Sequence, residues 1–312
     1  MLEELHNLIL SGNIPKALEL VHNDQLLPVF VPTYKNREGT FMDKLGEIPS
    51  EVHLFLYDDD RHNYPETFPD NVTVHLIHRT ENWQGISSKR KYMLEWKKAN
   101  GIHKCIEIDD DLQFILEYPI KKGKINKVGK CSLWDVLRLL NRLLENKTFG
   151  IAGFNGKNIR KYNWNNILNE HPENLVQCII QNVDVLKEND ITYFEEKSSG
   201  EDVQICMECA LKGIPLYGLE FINEPIFNIK SGGRKTIANS KKEGNDFTLY
   251  FYRKYKGYAK ILPNPAKYRL WSVLNWENIL NKDDSYDNEL MKACIENNEE
   301  KVFEILEKIK EI

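Results

Sequence analysis

Four short apolar runs constrain this chain more than any other feature. Leu27–Val31 leads into Pro32-Thr33-Tyr34-Lys35-Asn36-Arg37, and Val52–Tyr57 leads into Asp58-Asp59-Asp60. Val72–Ile77 follows, and Lys104–Ile108 leads into Asp109-Asp110-Asp111. Runs rich in β-branched and aromatic residues, bounded by polar turns, read as buried strands. Helix-compatible chain separates them, around Phe41–Leu45 and from about Ser87 to Lys98. Strands alternating with helices predict an α/β fold with a Rossmann-like, mostly parallel central sheet flanked by helices. In such sheets ligands bind beyond the carboxyl ends of the strands, which here carry the Thr33–Arg37 loop and two acidic clusters.

The second half is less regular. Leu133–Leu144 and Val203–Leu211 read as helices, the latter with Gly213 at its C-terminal cap. Phe149–Phe154, Cys178–Val185 and Ile191–Phe194 read as strands, and Phe221–Ile229 as extended chain. The two ends resemble each other, each reading as two short amphipathic helices around a polar turn. The expected organisation is a helical hairpin over 1–26, a catalytic domain over 27–280 and an acidic helical hairpin over 281–312.

Charge sharpens that division. The chain of 312 residues has a net charge of -5. Residues 281–312 hold ten acids against five bases, so the rest is balanced. Within it, 121–130, 230–242 and 253–260 carry bases and no acids. A near-neutral body with basic segments holds a polyanion locally without attracting one from afar. The six cysteines are too sparse for a disulfide scaffold, and Cys206 with Cys209 reads as a pair of small core residues. No apolar stretch is long enough to span a membrane. The first residues lack the charge pattern of a secretory signal, so a cytoplasmic protein is expected, in a host cytoplasm if phage-encoded.

Three constellations carry chemistry. Asp109-Asp110-Asp111 follows directly on an apolar strand, and mutual repulsion calls for a compensating cation, which a hard divalent metal supplies. The alternative is a plain acidic turn. Gly85-Ile86-Ser87-Ser88-Lys89-Arg90 opens a helix with cations in its first turns, a seat for phosphate or an ordinary capped helix. Gly200-Glu201-Asp202 opens another helix, placing acids either as dipole partners or as a general base.

In this order, with the VPTYKNR first loop, these motifs resemble a glycosyltransferase of the GT-A type from about Pro28 to about Ile229. The resemblance implies a GT-A-like fold in which Asp109 and Asp111 bind Mn²⁺ or Mg²⁺ and the diphosphate of a nucleotide sugar. Asp111 is then the direct metal ligand and Asp109 lies nearer the ribose. Three consecutive aspartates leave the motif's register open, so Asp110 stays among the nucleotide contacts. Thr33, Tyr34 and Arg37 of the first loop, with Asp58 or Asp59, are placed at the nucleotide. Gly85, Lys89 and Arg90 are placed at the diphosphate, and Asp202 as the base of an inverting reaction. The QxxRW motif of processive polysaccharide synthases is missing.

More narrowly, the layout resembles the TET/JBP-associated DNA glycosyltransferases, which decorate hydroxymethylated pyrimidines. That implies a UDP-sugar donor and double-stranded DNA with modified cytosine as partner. Glu201, Gly232, Gly233, Arg234 and Lys235 are then acceptor or diphosphate contacts. Tyr250–Tyr255, where aromatics alternate with Arg253 and Lys254, reads as a base-stacking surface or as core with snorkelling cations. A glycan or protein acceptor is the first alternative, and a non-catalytic nucleotide-sugar or nucleic-acid binding module the second.

Overall fold

Alternate residues along the strands face opposite sides of one sheet, and each side collects its own helices. The computed structural model describes residues 1–33, 41–79, 85–110, 112–120, 128–154, 166–172, 175, 177–194, 200–222, 240–264 and 269–310. The chain opens with helices α1 (Leu2–Leu10) and α2 (Ile14–Val21), then strands β1 (Val29–Pro32), β2 (Val52–Tyr57) and β3 (Val72–Ile77). Helix α3 (Gly85–Ala99) and strand β4 (Lys104–Ile108) follow, then the hairpin β5 (Ile115–Pro119) and β6 (Val128–Ser132). Helix α4 (Leu133–Leu143) precedes strands β7 (Ile151–Phe154), β8 (Leu168–Asn169) and β9 (Cys178–Asn182). Next come α5 (Val183–Glu188), α6 (Glu201–Leu211) and β10 (Leu216–Leu219). Helix α7 (Ser240–Tyr255) leads to the hairpin β11 (Ala259–Asn264) and β12 (Arg269–Leu274). Helices α8 (Trp276–Asn281), α9 (Asn288–Ile295) and α10 (Glu299–Lys310) complete the described chain.

Eight strands form the central sheet in the order β3-β2-β1-β4-β9-β7-β10-β8. The joins β3–β2–β1–β4 and β7–β10 are parallel, while β9 and β8 run antiparallel to their neighbours. The expected mostly parallel sheet with flanking helices is therefore present. Pairing of Val29 with Val52 and Ile106 brings the ends of β1, β2 and β4 to one edge of the sheet.

On one face, Val29, Val31, Leu54, Ile106 and Ile108 pack with Leu5, Ile9, Leu18, Leu137 and Leu140, so α1, α2 and α4 cover it. On the other, Phe30, Phe55, Cys105 and Ile179 pack with Met93, Ile205, Phe251 and Leu306, so α3, α6, α7 and α10 cover it. The terminal hairpins thus belong to opposite faces. Among the described residues, no helix is long and apolar enough to cross a membrane.

Local departures from the expected elements have visible causes. The strand expected over Cys178–Val185 stops at Asn182, whose side chain accepts a hydrogen bond from Val185 N and caps α5. Ile191–Phe194 is not a strand, because the Gln204 amide takes Phe194 N and Thr192 O for itself. The segment around Phe41–Leu45 forms a 3₁₀ turn, Phe41–Glu47. Tyr250–Tyr255 ends α7 with Phe251, Tyr252 and Tyr255 buried, so the run is core and not a base-stacking surface. Its cations reach outward, as Arg253 donates to Cys294 O at 2.5 Å and Lys254 lies 3.6 Å from the Phe194 ring. Cys206 and Cys209 are buried free thiols of α6, and burial pushes Cys206 up to about 12.

Candidate active site

The site lies at the edge where β1, β2 and β4 end, between the first turns of α3 and α6. Beyond β2, the acids are engaged by the chain leaving β3. Asp58 pairs with His78 at 2.7 Å, and this hydrogen bond lowers its pKa. Asp59 and Asp60 share Arg79, at 2.8 and 3.0 Å. The Arg79 guanidinium lies 4.1 Å from the Tyr57 ring centre, so the end of β2 is a cation–π platform.

Thr33, the residue after β1, is buried, and its hydroxyl donates to Asp110 Oδ2 at 2.7 Å. Asp110 itself is only 4% exposed, so its carboxylate is turned into the protein. Gly85 begins α3 with φ of 83°, a conformation that glycine adopts freely, and its carbonyl accepts from Tyr57 Oη at 2.8 Å. Lys89 is buried as well; its ammonium donates to Thr33 O and lies 4.5 Å from the Tyr57 ring. Lys89 therefore ties the first-loop end of β1 to α3.

Arg90 is 2% exposed, and its guanidinium sits among four carboxylates. Nη2 donates to Asp109 Oδ1 at 2.6 Å, and Nη1 donates to Asp202 Oδ1. Nε lies 3.4 Å from Glu107 Oε1 and 3.5 Å from Glu201 Oε1. Burial opposes the charge, but Asp202, Asp109, Glu107 and Glu201 outweigh it and hold Arg90 protonated well above its usual range. One buried cation therefore joins the end of β4 to the start of α6.

Helix α6 begins at Glu201 because Gly200 adopts φ of 84°, where a side chain is strained. Glu201 is buried, and desolvation raises its pKa against the pull of Arg90. The Asp202 and Asp109 side chains keep 20% and 24% exposure, so both carboxylates reach the solvent side of Arg90. Asp202 is thus a partly exposed acid at a helix start, positioned by a charge-assisted hydrogen bond.

Thr33, Gly85, Lys89, Arg90, Asp109, Asp110, Glu201 and Asp202 are thus brought together, with Asp58 and Asp59 at the flank. Tyr34, Arg37, Asp111, Gly232, Gly233, Arg234 and Lys235 lie outside the described residues. So do most of the basic segments at 121–130 and 230–242. Among the described residues, no cluster of three His, Cys, Asp or Glu side chains forms a metal site. The partly exposed carboxylate of Asp109 nonetheless provides the hard oxygen chemistry that Mn²⁺ or Mg²⁺ needs. Sequence reasoning missed Glu107 and Lys97, which pair at 2.6 Å. The signal was a glutamate inside an apolar strand and a lysine on the Met93-Leu94 side of α3.

Comparison with known proteins places this geometry in a family. A family model described as TET-Associated Glycosyltransferase matches residues 27–222. No curated protein matches. Among solved structures, residues 1–349 of S. aureus TarS share 16% identity at a TM-score of 0.38, over 64% of this chain and 60% of that one. A longer S. aureus TarS structure shares 15% identity at 0.41, over 83% of this chain and 43% of that one. TarS 1-349 in complex with UDP-GlcNAc shares 14% identity at 0.40, over 73% of this chain and 67% of that one. This chain therefore spans less than two thirds of the first two. The matched stretch is more than half of the chain and runs from before β1 to beyond β10, with both Asp109 and Asp202 inside it. The chain accordingly belongs to the TET-associated glycosyltransferases.

Proposed function

We propose that this glycosyltransferase moves a sugar from a UDP-sugar to a hydroxymethylated pyrimidine in DNA, with inversion at the anomeric carbon. The observation that carries the reading is Arg90, which holds Asp109 and Asp202 on its two terminal nitrogens. Donor and acceptor chemistry then meet across one guanidinium.

Asp202 takes the proton of the acceptor hydroxymethyl group. The freed oxygen attacks the anomeric carbon, and the bond from that carbon to the diphosphate oxygen breaks in line. UDP leaves with the bonding electrons. Asp109 and Asp111 are the residues that would hold Mn²⁺ or Mg²⁺, which when bound neutralises charge on the departing diphosphate. Asp110, turned toward Thr33, serves the shape of the site instead. Lys89 braces the nucleotide side through the Thr33 carbonyl. Tyr34, Arg37, Asp58 and Asp59 remain the proposed nucleotide contacts, and Gly232 to Lys235 the proposed acceptor or diphosphate contacts.

The DNA acceptor is supported by the association of the family with TET and by cations on the body. Lys254, Lys256 and Lys260 are exposed near the hairpin of β11 and β12. A UDP-sugar, UDP-GlcNAc, is also what one of the TarS structures contains. The test is a mass-spectrometric transfer assay with Mn²⁺ and UDP-glucose, UDP-galactose or UDP-arabinose. Duplex DNA containing 5-hydroxymethylcytosine is the acceptor, and unmodified duplex the control. A hexose or pentose mass added only to the modified duplex is the expected result. Metal-dependent donor hydrolysis without transfer points instead to a glycan or protein acceptor. Absence of both activities defeats the catalytic reading.

A further inference from the structure

Beneath Arg90, four side chains close into a hydrogen-bonded ring shielded from solvent. Lys97 Nζ donates to Glu107 Oε2 at 2.6 Å and to Gln181 Oε1 at 2.8 Å. Gln181 Nε2 donates to Tyr193 Oη at 2.8 Å, and Tyr193 Oη donates to Glu107 Oε1 at 3.4 Å. Each of the four is at most 1% exposed. The ring draws on α3, β4, β9 and the chain after α5, and the lysine ammonium rests 4.7 Å from the Phe30 ring.

Stability alone does not account for such a ring. A buried ion pair replaced by apolar side chains of similar volume is often neutral or more stable. Phe30 and Met93, buried in the core on this face, mark an environment suited to apolar replacements. What the ring touches is more informative. Glu107 Oε1 lies 3.4 Å from Arg90 Nε, whereas the terminal nitrogens bind Asp109 and Asp202. Arg90 has one charge for four carboxylates. Without Lys97, Glu107 would be an uncompensated buried anion competing for that charge. With Lys97 in place, Glu107 is charge-compensated and attracts Arg90 Nε electrostatically, without a hydrogen bond.

We propose that Lys97, Glu107, Gln181 and Tyr193 are positioning residues for sugar transfer. They fix Arg90 so that its terminal nitrogens hold Asp202 and Asp109 in register. The inference rests on Asp202 being the base.

The experiment compares Lys97→Met, the charge-paired double variant Lys97→Met with Glu107→Gln, and Tyr193→Phe. Each is crystallised, melted and assayed for UDP release from UDP-glucose with Mn²⁺ and hydroxymethylcytosine duplex. In Lys97→Met, Arg90 should turn toward Glu107 and leave Asp202, with kcat falling about tenfold or more. The double variant should restore both the Asp202 contact and kcat to within about threefold of the parent. Tyr193→Phe, the mildest change, should fold and lose about threefold in kcat, so the test stands even if Lys97→Met fails to fold. Arg90 still seated on Asp202 and Asp109 in Lys97→Met overturns the proposal. So does a double variant as slow as the single one, or a Tyr193→Phe protein with parental kcat. An Asp202→Asn protein with normal transfer would remove the base assignment alone, because the position of Arg90 in the crystals is read without reference to activity.

Discussion

Arg90 shows how much one side chain decides in this molecule. Replacing it with leucine would leave Glu107, Asp109, Glu201 and Asp202 facing one another around a buried gap. Breaking a buried pair by removing one partner costs about 3–5 kcal/mol, so Arg90→Leu should lower the thermal midpoint sharply. Arg90→Lys keeps the charge but loses the planar fork that spans two carboxylates. It should fold and lose kcat, and a lysine variant with parental turnover would show that bridging is dispensable. Asp202→Asn removes the proposed proton acceptor together with one charge paired with Arg90. Transfer should fall roughly 10²–10⁴-fold while UDP affinity, measured by calorimetry, stays near the parent value. Asp109 and Asp202 were legible as candidates because each sits at the end of a readable element. The arginine that joins them was not, because its contacts lie 19 and 112 residues away and local patterning carries no such information. Lys89 and Arg90 read from spacing either as a seat for phosphate or as cations of an ordinary capped helix, yet both are buried.

At the scale of elements, the start of α6 depends on Gly200. Its φ is +84°, and a Cβ there would lie 2.1 Å from the Phe247 ring of α7. Gly200→Ala should therefore push α6 off α7 and move Asp202 from Arg90. Lowered kcat with a lowered melting point is expected, and an alanine variant matching the parent in both would sink this account. A second element-level feature is the join of β2 and β3 beneath α3. His53 Nδ1 lies 2.9 Å from His75 Nε2, and the rings stack on Phe30 and Phe55 beside Trp96. Burial lowers both pKa values, His75 to about 4; Glu51 partly offsets this for His53, while Lys97 adds to it. The unfolded chain then binds protons that the folded chain refuses between about pH 6.5 and 4. Stability is fully present above pH 6.5 and is lost as pH falls through that window. Melting curves from pH 7.5 to 4.5 should show the decline, and His75→Phe should flatten it. An unchanged slope in His75→Phe would assign the loss to other groups. The strands of this region were readable because apolar, β-branched runs were bounded by polar turns. The breaks at Asn182 and Gln204 were not, because a side chain that captures backbone groups competes with the ladder only once the fold brings them together.

For the whole molecule, the two ends matter more than their sequences suggest. Read along the chain, residues 281–312 form an acidic helical hairpin, marked off from the body by charge and amphipathic period. Packing gives them a second character. Leu290, Met291, Ala293, Cys294, Val302, Ile305 and Leu306 are buried in the same core as Phe251, Tyr252 and Tyr255 of α7. Asn245 of α7 donates to Glu299 at 2.7 Å, and its Oδ1 accepts from Leu270 N of β12 at 2.9 Å. Helix α7 also supplies Phe247, which abuts Gly200 at the start of α6. The C-terminal hairpin is therefore linked through α7 to the helix that carries Asp202. Burying a large apolar side chain contributes about 1.5–3 kcal/mol, so these helices supply on the order of 10 kcal/mol as an upper bound. That is comparable to the roughly 5–15 kcal/mol that holds a typical domain together. A chain ending at residue 281 should aggregate or melt far below the full-length protein, and α6 should lose amide protection in hydrogen exchange. The outcome that contradicts this is a truncated protein with the parental melting point and parental protection over α6. In that case the hairpin would be an appendage, and the support for Asp202 would have to come from the sheet and Arg90 alone.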